Sequence, residues 1–222
     1  MLLAIDTSTV QTGLALYDER GVIGECLWHS GRDHSAQLLP QLTLLLRHVG
    51  RERAEIAAVA VALGPGSWSG LRVGMSTAKG FALARGVPLV GVGTLDALLY
   101  QHERPGATTI PLIRLGRERF ATGSPAGPGE APRASVPRNV SLVEVAAEVT
   151  GRALFCGDVD SETQAVLRER LGDRALFPSP AASARRPGYL AELGWRRLQA
   201  GQIDDTATLE PIYLGQPVRT RT

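Results

Sequence analysis

The first thirty residues alternate between apolar runs and turn-forming residues. The runs 2–6, 12–17 and 22–28 are apolar or alternate with period two, and polar or glycine-containing turns separate them at 7–9 and 18–21. Antiparallel strands joined by short connections produce this pattern. The sequence therefore predicts a three-stranded meander whose first strand ends at Asp6.

The pattern then changes to alternating helices and strands. Leucines at helical spacing predict a helix over 35–49 that is apolar on two sides, so that one face can be buried while the other is offered to a partner. A continuous apolar run predicts a buried strand over 56–63, followed by helix 69–85, strand 89–92 and helix 94–101. This alternation predicts parallel pairing beside the meander, in an α/β fold.

The second half predicts a further α/β set from weaker signals. Strands are expected at 108–114, 119–122, 153–156 and 175–177, and helices at 141–149, 160–171 and 181–200. The glycine- and proline-rich segment 123–129 is predicted to be a loop, and the residues after 200 to be irregular. We divide the chain into an N-terminal unit, 1–103, which carries candidate partner-binding helices, and a smaller C-terminal unit, 104–222.

Composition and charge reduce the number of protein classes to which the chain can belong. The 222 residues are 44% hydrophobic, enough for a core, and 24 basic against 22 acidic side chains leave a net charge of +2. A stand-alone nucleic-acid binder is not indicated by that balance. The two cysteines, Cys26 and Cys156, lie far apart, and neither a secretory leader nor a membrane-length apolar run is present, so reduced thiols in a cytoplasmic protein are expected. Arginines in the C-terminal part, Arg185 and Arg186 among them, are interleaved with acidic residues, which predicts a solvated face.

The segment 64–72 is the sharpest candidate site. It follows a buried strand and opens a helix, where free backbone N–H groups favour an anion, but it lacks the Gly-Lys-Ser/Thr ending of a P-loop. A tight turn that needs glycine is the alternative. Asp6 ends the first strand, where a carboxylate can hold a metal or orient a nucleotide, and Thr7, Ser8 and Thr9 can line a phosphate. The alternative is a strand end that is capped by hydrogen-bonding side chains. The candidate degenerate phosphate-binding residues are Asp6, Thr7, Ser8, Gly64, Gly66 and Ser67.

Catalytic and metal-binding patterns are lacking in the sequence. His34 is followed four residues later by Leu38, where a metal pair on one helix face would need a second ligand, so His34 is predicted to be an N-terminal helix residue or a hydrogen-bond donor. The sequence contains no G-x-S-x-G elbow and no Cys-His pair. We therefore assign no catalytic residue and no metal ligand.

Helix 69–85 carries a ridge of small residues spaced by four, at Gly70, Gly74, Ala78 and Ala82. Such a ridge lets a second helix approach closely, and packing on the chain's own sheet is the alternative. With helix 35–49 it predicts a four-helix interface with a partner. The predicted partner-binding residues are Leu38, Leu42, Leu45, Arg72, Gly74, Met75, Ala78, Lys79 and Ala82.

Five ordered motifs resemble the TsaB (YeaZ) family, subunits of the bacterial machinery that makes threonylcarbamoyladenosine in tRNA. They read AIDTST at 4–9, HSAQLLP at 34–40, GPGSWSGLR at 64–72, AKG at 78–80 and GVGTL at 91–95. The resemblance is dense over residues 1–100 and returns with PIYL at 211–214. Where many relatives read Ile-Asp-Ala-Arg, this chain has IRLGR at 113–117, and Gly215 stands where the family often has arginine.

This resemblance implies an actin-like ATPase fold, shared with sugar kinases and Hsp70, built from two RNase H-like subdomains. It implies a non-catalytic paralogue of the catalytic subunit TsaD, in which Leu38 replaces the second metal-binding histidine. The expected partners are a TsaD-type subunit, bound through the two helices, and a TsaE-type ATPase, with tRNA reached only through the complex. The complex would transfer threonylcarbamoyl from its adenylate to the adenosine on the 3′ side of the anticodon. A homodimer is expected when the partner is missing, with ATP or ADP at most at the complex interface.

Two other classes of function remain open on the sequence. Asp6 and the 64–72 loop are compatible with a nucleotide-dependent phosphotransferase, and the superfamily also suggests a glycoprotease-like peptidase. A stand-alone RNA-binding module is disfavoured by the net charge of +2.

Overall fold

The computed structural model describes residues 1–31, 33–104, 106–123 and 136–214, and its first sheet contains five strands in the order β3-β2-β1-β4-β5. β1 pairs antiparallel with β2 and parallel with β4, and β4 pairs parallel with β5. The predicted meander and its parallel extension are thus confirmed. The strands are β1 (Leu2–Asp6), β2 (Gln11–Asp18), β3 (Gly21–His29), β4 (Ala58–Gly64) and β5 (Leu89–Gly93).

Helices cover both faces of this sheet. On one face, Leu3 and Ile5 of β1 share a core with α1 (His34–His48) and α2 (Trp68–Arg85). On the other face, Leu2 and Ala4 pack against α6 (Pro187–Gln199). Successive side chains of a strand point to opposite faces, so a strand covered on both faces must be apolar throughout. This explains the unbroken apolar run that opens the chain.

The second sheet has the order β10-β9-β6-β7-β8. β6, β9 and β10 pair in parallel, while β6, β7 and β8 are antiparallel neighbours. The sequence analysis missed β8, which has only three residues, two of them exposed. Residues 124–129 of the predicted loop lie outside the described residues, as does Gly215. The elements are β6 (Thr108–Arg114), β7 (Phe120–Thr122), β8 (Arg138–Val140), α4 (Leu142–Glu148), β9 (Ala153–Gly157), α5 (Ser161–Leu171) and β10 (Ala175–Leu176).

The last helix differs from its prediction in start and in packing. It begins at Pro187 rather than at residue 181, because a proline suits the first helical turn and holds the preceding Arg186 in an extended conformation. It packs on the first sheet, where a Cβ on Gly194 would come within 2.5 Å of the Ala60 Cβ. By packing, α6 therefore belongs with the N-terminal unit although it lies in 104–222.

A short apolar cluster joins the two sheets. Leu95 and Leu98 of α3 (Thr94–His102) contact Ile113, Ala121 and Cys156 of the second sheet. Both cysteines are free thiols, and burial raises the pKa of Cys156 to about 12 and that of Cys26 to about 11. Among the described residues, no helix is both long and apolar enough to span a bilayer.

Candidate functional site

The segments that follow β1 and β4 meet at the carboxyl edge of the first sheet. The backbone N–H of Ser67 donates to the Ser8 carbonyl oxygen at 2.6 Å, and a Cβ on Gly66 would collide with that oxygen. The Thr7 hydroxyl donates to the carbonyl oxygen of Gly70 at 2.7 Å. The two segments therefore pack directly on each other, and their glycines permit this close approach.

The ridge of small residues on α2 faces the chain's own sheet. Cβ atoms on Gly70 and Gly74 would collide with Thr7 oxygens, and Ala78 and Ala82 are 0% and 2% exposed in the core. The prediction that this ridge contacts a partner is therefore wrong, because helical spacing identifies a small-residue stripe without identifying its neighbour. Seven predicted partner-binding residues are buried inside the chain: Leu38, Leu42, Leu45, Gly74, Met75, Ala78 and Ala82.

The other two predicted partner-binding residues remain accessible. Arg72 is exposed and its guanidinium lies 4.4 Å from the ring centre of Trp68, whose ring in turn contacts Tyr213. Lys79 is half-buried and donates to the Ala207 carbonyl oxygen at 3.2 Å.

The outer faces of α1 and α2 carry large apolar side chains that the sequence analysis did not select. Leu39 and Leu44 are 50% and 53% exposed on α1, and Trp68 and Leu83 are 45% and 70% exposed on α2. We call these four residues the outer apolar face. The signal for the α1 half of this face was the second apolar side predicted for helix 35–49, to which Leu39 and Leu44 belong.

Asp6 is buried and fully engaged. One carboxylate oxygen accepts hydrogen bonds from the Ser8 backbone N–H at 2.9 Å and the Ser8 hydroxyl at 2.6 Å. The other oxygen pairs with the Arg185 guanidinium at 3.1 Å, and the two side chains are only 7% and 8% exposed. Arg185 is thus buried, which corrects the prediction that it lies on a solvated face.

The hydrogen bonds at this sheet edge decide whether the predicted phosphate-binding residues can hold a nucleotide phosphate. The predicted phosphate-binding residues do meet at one sheet edge, but Asp6, Thr7 and Ser8 bond within the chain, and the Ser67 hydroxyl caps α2 by accepting from the Gly70 N–H. The backbone around Gly66 lies against Ser8 rather than around an open cradle. In this arrangement the residues do not fit a bound phosphate.

His34 is buried and bonds to side chains of its own chain. It is the first residue of α1, is 3% exposed, and its Nδ1 lies 2.7 Å from the Thr12 hydroxyl and 2.9 Å from the Ser30 hydroxyl. Burial lowers the pKa of His34, and the nearby Asp6 charge opposes that shift. The prediction that His34 is an N-terminal helix residue is confirmed. Across residues 1–31, 33–104, 106–123 and 136–214, no three His, Cys, Asp or Glu side chains gather as a metal site would require.

A second acidic residue, absent from the sequence-based candidates, lies near the same guanidinium. Asp158 follows β9 and accepts a hydrogen bond from the Arg114 backbone N–H at 2.9 Å. Burial raises the pKa of Asp158, the positive charge of Arg185 opposes this, and the Asp6 carboxylate adds to it. The ends of β1 and β9 therefore share one electrostatic environment.

Comparisons with known proteins agree with this architecture. The family model for TsaD, tRNA N6-adenosine threonylcarbamoyltransferase, matches residues 19–123. A solved structure of YeaZ from Pseudomonas aeruginosa superposes with a TM-score of 0.78 at 24% identity, covering 96% of this chain and 99% of that one. Component A of the (R)-2-hydroxyglutaryl-CoA dehydratase from Acidaminococcus fermentans gives a TM-score of 0.55 at 12% identity, covering 89% and 98%.

The chain has two sheets that are flanked by helices. Together with these structural neighbours, this arrangement identifies an α/β protein with the actin-like ATPase fold in two subdomains. The tRNA threonylcarbamoyladenosine biosynthesis protein TsaB of Bacillus subtilis is 30% identical over 217 residues, which is 96% of this chain and 93% of that protein. The chain belongs to the TsaB family.

Proposed function

We propose that this chain is a non-catalytic subunit of the machinery that forms threonylcarbamoyladenosine in tRNA, acting in the cytoplasm. Its family membership and the name of the Bacillus subtilis relative support a role in this biosynthesis. The match of residues 19–123 to the TsaD family model supports descent from a common ancestor with the transferase itself.

A non-catalytic role is supported by the state of the polar groups at the sheet edge. Both carboxylate oxygens of Asp6 are occupied by Ser8 and Arg185, and His34 bonds to two hydroxyl groups of its own chain. A general acid, base or nucleophile has to reach a substrate atom, and these groups are buried and occupied. Among the residues that the structure describes, no contact favours a phosphotransferase or a peptidase.

The outer apolar face is the observation that carries the proposal. Four large apolar side chains stand 45–70% exposed on two neighbouring helices, whose inner faces are fully used by the core. Exposed apolar surface on paired helices is typical of protein interfaces, where it forms the buried centre. We assign this face to the TsaD-type catalytic subunit, with a TsaE-type ATPase and tRNA joining through that subunit and a homodimer competing for the same face.

The test compares arginine substitutions at matched exposed positions. Leu83→Arg on the outer apolar face is expected to weaken binding to the TsaD-type subunit by about tenfold or more in calorimetric titrations, since it places an unpaired charge in the interface centre. Val143→Arg on α4, where Val143 is 50% exposed, is the control and is expected to bind as the wild type does. Ala78 is unsuitable for this test because it is 0% exposed.

The biosynthetic role is tested in cells by mass spectrometry of tRNA nucleosides after depletion of this protein. Loss of threonylcarbamoyladenosine, restored by the wild type and by Val143→Arg but not by Leu83→Arg, is the expected outcome. Unchanged modification after verified depletion would refute the biosynthetic role. Full restoration by Leu83→Arg would refute only the interface.

A further inference from the structure

Two acidic residues stand at corresponding places in the two sheets. Asp6 is the last residue of β1, which pairs in parallel with β4, and Asp158 follows directly after β9, which pairs in parallel with β6. In open α/β sheets, ligands bind beyond the carboxyl ends of parallel strands. The two carboxylates therefore mark the cleft between the sheets, where a cation-bound phosphate ligand would lie.

One guanidinium of the chain interacts electrostatically with these carboxylates. Arg185 pairs with Asp6 at 3.1 Å, and its charge also acts on Asp158. Its side chain is only 8% exposed, yet Nε and Nη1 have no hydrogen-bond partner among the described residues. A buried cation beside the Asp6 carboxylate compensates that carboxylate for its loss of hydration.

The backbone on both sides of Arg185 is anchored, so the guanidinium is held in place. The side chain of Gln101 on α3 donates to the Ala184 carbonyl oxygen at 2.8 Å and accepts from the Arg186 backbone N–H at 3.1 Å. Two residues beyond Arg185, the ring of Pro187 lies against Gly13, where a Cβ would come within 2.9 Å of it. A group fixed by such contacts loses little further conformational entropy when it forms its ion pair.

We infer that Arg185 is a built-in cation of the cleft, which neutralises Asp6 and takes the place that a divalent cation at that carboxylate would need. The folded chain then binds no metal–nucleotide between its sheets. The ion pair lies within the chain and involves neither the outer apolar face nor a partner.

The first experiment needs no variant. Wild-type protein is heated with and without Mg²⁺ and ADP, or Mg²⁺ and ATP, at millimolar concentration, and the Tm is expected not to change. A Tm that rises with the nucleotide concentration, as ligand binding to the native state requires, would overturn the inference. A Tm that rises with inorganic phosphate alone would overturn it too, because the free edge of the guanidinium would then be an anion site.

The second experiment is a double-mutant cycle on the ion pair. Arg185→Gln leaves the buried Asp6 carboxylate without a counter-charge and is expected to lower the Tm by about 6 °C or more. Asp6→Asn added to that variant removes the stranded charge and is expected to restore at least half of the loss. Arg186→Gln is the matched control. It removes the ion pair between Arg186 and Glu25, but the Arg186 side chain is 56% exposed, so a much smaller change in Tm is expected.

The cycle has a clear refuting result. If the losses from Arg185→Gln and Asp6→Asn simply add in the double variant, the two groups are not coupled and the inference is overturned. If Arg185→Gln does not fold, recovery of soluble protein by the double variant still supports the coupling, and failure of both variants counts against it.

Discussion

The same substitution, glycine to alanine, should have opposite effects at two positions of α2. Gly74 and Gly80 both lie inside this helix, where alanine is favoured over glycine by about 1 kcal/mol. A Cβ on Gly80 would meet nothing within 4 Å, whereas a Cβ on Gly74 would collide with the Thr7 hydroxyl oxygen. The pair therefore separates helix propensity from packing.

The expected magnitudes follow from these surroundings. Gly80→Ala should stabilise the protein by about 0.5–1 kcal/mol, which corresponds to a Tm increase of about 1–4 °C. Gly74→Ala gains the same propensity but forces the buried Thr7 hydroxyl from its 2.7 Å bond to the Gly70 carbonyl. A stranded polar group costs about 1–3 kcal/mol and overpacking a similar amount, so the net change is a loss of about 1–5 kcal/mol.

Urea denaturation followed by circular dichroism measures both changes, and the slope of the transition should be the same in both variants. If Gly74→Ala stabilises the protein as Gly80→Ala does, then the small-residue ridge does not pack on Thr7, which lies in the connection between β1 and β2. The ridge would then face outward, as the sequence analysis expected, and the inward orientation described above would be refuted.

Two further predictions concern titratable groups. Because burial lowers the pKa of His34 below its unfolded value of about 6.5, the unfolded chain binds more protons as the pH falls below 6.5, and stability should decline there. His34→Gln should flatten the Tm profile below about pH 6.5, and an equally steep profile in the variant would contradict the assignment. Burial also raises the pKa of Cys156 to about 12, so a thiol reagent at neutral pH should modify Cys156 only after unfolding. Modification of the native protein at Cys156 as fast as at an unfolded thiol would show that it is accessible.

The first sheet could be predicted from the sequence because its order follows local patterns. The runs at 2–5 and 58–63 are apolar along their whole length, and the helices that precede and follow the second run have clear periodicity. Each strand pairs with a neighbour that the chain reaches by one short turn or one helix. The start of α6 was misplaced because apolar residues continue before Pro187, and β8 was missed because three residues carry no measurable period.

The site was predictable only in part. Asp6 and the 64–72 segment were correctly expected at the end of adjoining strands, but what each side chain touches depends on contacts that no local pattern encodes. Arg185 pairs with Asp6 across 179 positions of sequence, and its neighbours in the chain resemble an exposed charged segment. The periodicity of Gly70, Gly74, Ala78 and Ala82 defined a stripe, and only the tertiary structure shows that the stripe faces inward.

The position of α6 determines the order in which this chain can finish folding during synthesis. The face of β1 that carries Leu2 and Ala4 is covered by Leu190 and Ala191, which leave the ribosome almost the whole length of the chain later. Until then an apolar sheet face stays uncovered, a condition that favours aggregation and the recruitment of chaperones. A chain that stops before Pro187 would keep all five strands of the first sheet but lack this cover, so termination before Pro187 should yield insoluble protein.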